Sequence, residues 1–252
     1  MHSDTAKTDY ENAIFRPSEN FGERRGSRGI ELLILHYTGM STGEDAENWL
    51  CDPASEVSSH YVVHENGQVV QLVREAHRAW HAGKASWKGV EDINSVSVGI
   101  EIVNSGHEGG LPAYSRRQIE AVCDLSKEIC GRHSIKPEAV LGHSDVAPGR
   151  KVDPGEHFPW DILFENGVGH FVPASQTEGG RFFQEGDAGQ PVEALQSMLS
   201  LYGYKLPISG QFCAQTRIVV EAFQRHFRSK RVDGVADAAT IETLYSLLKL
   251  LN

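Results

Sequence analysis

Apolar positions change their spacing several times along the chain, and each change predicts a different element. The run from Ile30 to Leu35 is apolar without helical spacing, so a buried strand is expected over 30–38, followed by a short helix around Ala46 to Leu50. Tyr61 to Val73 holds two β-rich runs separated by Asn66-Gly67, a pair that favours a tight hairpin turn. In Val96 to Val103 the large apolar side chains alternate with small or polar ones. Val96, Val98, Ile100 and Ile102 then face one way, and Gly99 and Glu101 the other. Ser115 followed by Gln118 marks a helix start, and Ile119, Val122, Cys123, Ile129 and Cys130 continue at helical spacing to Arg132. That helix is expected to cover one side of the sheet.

The pattern shifts again after Trp160. Segments rich in Gly, Ser, Glu and Asn over 165–180 read as a linker. Beyond it come three amphipathic helices, one around Val192 to Leu199, one around Val219 to Phe227, and one from Ala238 to Leu251. The expected organisation is a lead-in over 1–28, an α/β domain over 29–165, a linker over 166–185 and a small all-α domain over 186–252. The expected fold class is a mixed β-sheet flanked by helices, joined to that three-helix domain.

With 252 residues and 40% apolar content, the chain can bury a core for one large domain or two smaller ones. A formal net charge of −10 argues against binding nucleic acid, which takes a basic surface. No run approaches the apolar length of a membrane span, and the first residues lack the basic start and apolar core of a secretion signal. The four cysteines are scattered and none forms a CxxC pair. Cys123 and Cys130 lie seven apart on one helix, about 10 Å by its rise, which is too far for a disulfide.

The densest chemistry lies in Gly142-His143-Ser144-Asp145 through Lys151-Val152-Asp153-Pro154-Gly155. One loop punctuated by Pro and Gly carries an imidazole, an ammonium and a carboxylate, and its turns can fold Lys151 and Asp153 back towards His143. A third ligand has to come from elsewhere, and His36 at the end of the first strand is the evident donor. Two His and one Asp suit an open site that keeps a position for water. The histidines disfavour calcium, while ligand type alone does not separate Zn²⁺ from Fe²⁺. Glu101, on the strand face opposite the aliphatic stripe, is the candidate base, and Lys151 the candidate cation for an oxyanion. Asp145 is expected to turn the loop, and Tyr204, Phe212, Phe223 and Phe227 to fill the core of the small domain.

Five segments in chain order resemble the type-2 N-acetylmuramoyl-L-alanine amidases, in the AmpD/AmiD-like branch. They are Leu33 to Thr38, Ser58 to Val63, Ala79-Trp80-His81-Ala82-Gly83, Asn94 with Ser97 to Glu101, and Gly142 to Asp145 with Lys151 to Gly155. The resemblance implies Zn²⁺ on His36, His143 and Asp153, catalysis completed by Glu101 and Lys151, and cleavage between the lactyl group of N-acetylmuramic acid and L-alanine. It also makes Trp80, His81 and Asn94 candidates for substrate contact, although a packed structural corner accounts equally for the Trp80-His81 loop. Val192 to Tyr204, Gly210 to Thr216, Val220 to Gln224 and Val232 to Thr240 resemble the type-1 peptidoglycan-binding domain. The implied partner is peptidoglycan or a muropeptide, and a monomer is expected. A wall-binding module makes the cell envelope or periplasm the expected location, while the absence of a visible secretion signal in this sequence leaves a cytoplasmic one open. A non-catalytic muropeptide-recognition protein and a zinc peptidase acting within the stem peptide are the alternatives.

Overall fold

The computed structural model describes residues 8–177, 179 and 182–251. The first seven residues of the expected lead-in, three of the expected linker (Glu178, Gly180 and Arg181) and Asn252 lie outside them. The elements in chain order are β1 (Ala13–Phe15), β2 (Phe21–Gly22), β3 (Leu32–Tyr37), α1 (Gly43–Cys51), β4 (Tyr61–Val63), β5 (Val69–Gln71), β6 (Arg78–Ala79) and α2 (Ile93–Val96). They continue with β7 (Ser97–Ile102), α3 (Arg116–His133), β8 (Val140–Gly142), α4 (His143–Val146), α5 (Trp160–Glu165), α6 (Gln190–Tyr202), α7 (Ala214–Phe227) and α8 (Ala238–Lys249).

Six strands form one mixed sheet in the order β1-β5-β4-β7-β3-β8. β4 and β5 pair antiparallel across the Asn66-Gly67 turn, whereas β7 lies parallel to β3 and to β4. Gly67 takes φ +88° in that turn, a value that glycine adopts without steric cost. The alternation expected in β7 holds for Val98, Ile100 and Ile102, which join α3 residues Ile119, Val122 and Ile129 in one core, whereas Val96, expected on the same face, ends α2 and packs in the other cluster with Leu32 and Ile34. The start of α3 keeps half of the reciprocal capping box that a Ser and a Gln at this spacing can form. Ser115 Oγ accepts from the Gln118 amide at 3.1 Å, but the Gln118 side chain donates to the Val63 and Val103 carbonyls instead of returning to Ser115. Those two carbonyls end neighbouring strands, so the helix is fastened to the sheet it covers.

The three C-terminal helices share one apolar core with the other face of the sheet. Val192, Leu195, Tyr204, Phe223 and Leu244 pack in the same cluster as Leu32, Ile34, Trp87, Leu141 and Val146. Gly203 presses on this junction: a Cβ there would lie 2.4 Å from the Trp87 ring. The described part of 166–185 follows the body of the protein, with Val168 and His170 buried, Phe171 packed on the core and the Phe183 strand bridge closing on Ala236. The Gly, Ser and Glu content of this stretch masked the apolar residues that hold it down.

Candidate active site and metal centre

Parallel pairing of β3 and β7 sets His36 directly beside Glu101, so both side chains leave the same face near the strand ends. β8 ends one residue before His143. The Gly142 amide donates to Asp145 Oδ2 at 2.8 Å and the Ser144 amide to the Asp153 carbonyl at 2.9 Å, folding the loop back over the sheet edge. His36 Nδ1, His143 Nδ1 and Asp153 Oδ2 then form a triangle with every edge 3.0 Å. All three residues are buried, and among the described residues they are the group whose donor atoms converge in this way.

The proton positions follow from the partners. A carbonyl only accepts, so Ser97 Oγ, 2.7 Å from the Ile93 carbonyl, spends its single hydrogen there. His81 Nε2, 3.1 Å from that Oγ, is therefore the N–H donor, which leaves His81 Nδ1 as a lone pair. His36 Nε2 then donates to it at 3.0 Å. His143 Nε2 lies 3.0 Å from the Ala82 carbonyl and 3.2 Å from Arg150 Nη2, but Arg150 Nη2 directs its hydrogen to that same carbonyl at 2.5 Å, so His143 Nε2 is also a donor to it. Both Nδ1 atoms are thus lone pairs, and they face a carboxylate oxygen. Three acceptors at 3.0 Å with no proton among them repel one another unless a cation lies between them. Two imidazoles and one carboxylate are the donor set of an open zinc site, and their spacing suits an ion bonded at about 2.0–2.2 Å to each.

The electrostatics agree with that use. Burial pushes His36 down to about 4, so the ring is neutral as a ligand must be. Burial lifts Glu101 well above the ordinary value, Asp153 adds to the rise and Lys151 opposes it. Glu101 Oε2 is buried with no hydrogen-bond partner among the described residues. A buried carboxylate oxygen without a partner costs free energy.

The triangle opens into a cleft of about 450 Å³. Glu101 and the exposed Lys151 line it, and Trp49, Trp80 and Val57 form an apolar stretch of its wall. The structure divides the three residues named for substrate contact. Trp80 is half-buried on the cleft wall. His81 reaches the cleft, but both its nitrogens are engaged, one by His36 and one by Ser97. Asn94 Oδ1 accepts from the His81 and Ala82 amides, holding in place the loop that orients His36 and His143. Arg150 was given no role in the sequence, and it donates to the Ala82 and Lys84 carbonyls from the ligand loop. His107, which no motif in the sequence marks, stands on the cleft wall between Tyr37 and Glu156.

Comparison with known proteins fits this geometry. A family model described as N-acetylmuramoyl-L-alanine amidase matches residues 26–156. The chain belongs to the N-acetylmuramoyl-L-alanine amidase family. The AmiD amidase of Escherichia coli is 36% identical over 236 residues, covering 87% of this chain and 83% of that protein. A solved complex of E. coli AmiD with anhydro-N-acetylmuramic acid-L-Ala-D-gamma-Glu-L-Lys superposes with a TM-score of 0.74, at 33% identity, over 92% of this chain and 98% of that one. AmpDh3 from Pseudomonas aeruginosa, solved with an anhydromuramic pentapeptide, gives 0.74 at 30% identity over 98% and 99% of the two chains. A second model, a putative peptidoglycan binding domain, matches residues 188–244 of the amidase, the region of α6 to α8. No helix among the described residues is long and apolar enough to cross a membrane.

Proposed function

We propose that this amidase uses zinc to hydrolyse the amide between the lactyl group of N-acetylmuramic acid and L-alanine of a peptidoglycan stem peptide. The observation that carries the reading is the convergence of three buried lone pairs beside an unpartnered carboxylate oxygen. The relatives solved with anhydro-muropeptides support the choice of substrate.

Zinc held by His36, His143 and Asp153 would polarise the amide carbonyl and acidify water. Glu101 takes a proton from the attacking water on its free oxygen and passes it to the leaving L-alanine nitrogen. Positive charge in the donor triangle lowers the raised carboxyl again, bringing Glu101 towards the range in which it both accepts and gives. Lys151 sets its ammonium beside the oxygen that gains negative charge. Trp80 meets the substrate on the cleft wall, while His81 and Asn94 act behind it by holding the ligand loops. The C-terminal domain keeps the enzyme on wall polymer, raising the local substrate concentration without new catalytic contacts, and the cell envelope is where such polymer lies.

The test uses soluble anhydro-muropeptide, chelated protein and zinc add-back, with products separated by mass. Free anhydro-muramic sugar and a peptide beginning with L-alanine, formed only with metal, are expected. Release of D-alanine would indicate a peptidase within the stem, and tight binding without turnover a recognition protein. Undiminished cleavage by metal-free protein would refute the mechanism. Faster turnover of intact sacculus than of the soluble fragment is expected from the polymer-binding role, and the opposite order counts against the envelope location.

A further inference from the structure

Asp145 lies two residues beyond His143, and its side chain is wholly buried. Besides closing the loop through the Gly142 amide, it accepts from two side chains of the C-terminal domain. Tyr204 Oη donates to Oδ1 at 2.6 Å, and His226 Nδ1 bonds Oδ2 at 2.7 Å. His226 is itself wedged: its ring stacks on Trp160 at 3.6 Å between centroids and on Phe227 at 3.9 Å. Two further contacts join α7 to the same loop. Gly149 faces Ile218 so closely that a Cβ would lie 2.8 Å from its side chain, and Arg225 pairs with Glu156 at 3.2 Å.

We infer that the three-helix domain is a working part of the metal site, with Tyr204 and His226 as positioning residues that fix the His143 loop through Asp145. The argument runs on what is left when they are absent. Asp145 has to stay folded inward to hold the Gly142 amide and the turn that begins at His143, yet a buried carboxylate is stable only while its oxygens are hydrogen-bonded. Two of its three donors come from residues 59 and 81 positions away, in the domain whose apparent task is polymer binding. Without them the carboxylate turns out to water, the turn loosens, and His143 Nδ1 leaves the triangle. Neither residue touches the cleft wall, so their effect travels only through the loop.

This inference rests on the zinc reading, and the experiment separates the two. Zinc affinity of the full chain is measured by competition with a chromogenic chelator, without substrate, for the parent, Tyr204→Phe, and Tyr204→Phe combined with His226→Gln. Thermal unfolding of the metal-free proteins and co-sedimentation with insoluble peptidoglycan run alongside. Loss of supports behind a ligand weakens metal binding by about 10–100-fold, which is expected for the double variant, with about 3-fold or more for Tyr204→Phe alone. Sedimentation with polymer should be unchanged. His226→Asn, which keeps a nitrogen donor near the Nδ1 position, should recover most of the affinity lost by His226→Gln. Zinc affinity within twofold of the parent in both variants would overturn the inference while leaving the amidase reading intact. If the double variant does not fold, Tyr204→Phe decides by the same threshold. A parent chain that takes up no zinc overturns both.

Discussion

Gly99→Ala tests the proton chain behind His36 with the smallest possible change. Gly99 stands in β7 with ordinary extended backbone, so alanine brings no conformational strain, and its Cβ would lie 2.6 Å from His81 Cγ, 2.7 Å from Nδ1 and 2.8 Å from Cδ2. These atoms are the body of a buried ring tethered at both nitrogens. Ordinary contact begins near 3.4 Å, so the ring has to back away by most of an ångström. The His36 Nε2–His81 Nδ1 bond starts at 3.0 Å and does not survive that displacement with good geometry. His36 then loses the acceptor that fixes its tautomer, and supports of this kind are worth about 10–100-fold in metal affinity, or about 1.4–2.7 kcal/mol. Stability is the less telling readout, because overpacking costs about 1–3 kcal/mol while replacing a strand glycine returns about 0.5–1 kcal/mol. The assay is zinc affinity by chelator competition, with urea unfolding of the metal-free protein as control. An affinity within twofold of the parent in a folded Gly99→Ala protein would refute the claim that the His81 ring holds His36.

Three other outcomes are expected. Gly131→Ala, near the exposed C-terminal end of α3 with nothing within 4 Å of the new Cβ, should stabilise the protein by up to about 1 kcal/mol in urea unfolding; an unchanged or lower midpoint contradicts it. His60 is buried, and burial together with Arg24 pushes it down to about 3. The unfolded chain therefore binds a proton below about pH 6.5 that the folded protein refuses, so stability falls on acidification by about 1.4 kcal/mol per unit down to about pH 3 from this group. In His60→Asn the slope of unfolding free energy between pH 5 and 6.5, where the unfolded imidazole is part-way through its titration, should be shallower by about 1 kcal/mol per unit, and an identical slope would be inconsistent with the assignment. Asp153→Asn removes the one negative donor of the triangle, so loss of stoichiometric zinc and of turnover by at least about 10²-fold is expected. Full metal content by elemental analysis would show that the carboxylate is not a ligand.

Elements whose cause is local were legible in the chain. The apolar run before His36, the Asn-Gly hairpin, the alternation in β7 and the three C-terminal helices all follow from spacing within about ten residues, and the structure contains each. The same reasoning set Glu101 opposite the aliphatic stripe, and the parallel register brings it beside His36. The amidase and peptidoglycan-binding resemblances marked the two regions that the family models match. What stayed hidden is made by distant pairs. Asp145 reads as a loop-turning residue, and it is one, but nothing near it in sequence announces Tyr204 or His226. Nothing around His226 in the sequence marks it either, because its meaning lies in a stack with Trp160 from another element.

The same distinction explains why His81 is hard to read from sequence alone. A histidine in a motif beside a cleft has two uses, contact with substrate or support of a ligand, and both place it in the same short segment. What separates them is the ownership of its two nitrogens. Here one is taken by Ser97, whose hydrogen is committed to the Ile93 carbonyl, and the other by His36. The fixed end of this chain is a backbone carbonyl, so the order of protons propagates from the peptide backbone outwards to the donor triangle. Burial that keeps His81 far below its usual range protects that order from protonation. A histidine offered to substrate would need a free nitrogen, and this one has none, so replacing His81 should raise the zinc dissociation constant before it alters KM. Isosteric His81→Asn, with an amide oxygen able to accept from His36 Nε2, should keep more zinc affinity than His81→Phe. Equal affinity in the two, with KM alone changed, would return His81 to the substrate side of the cleft.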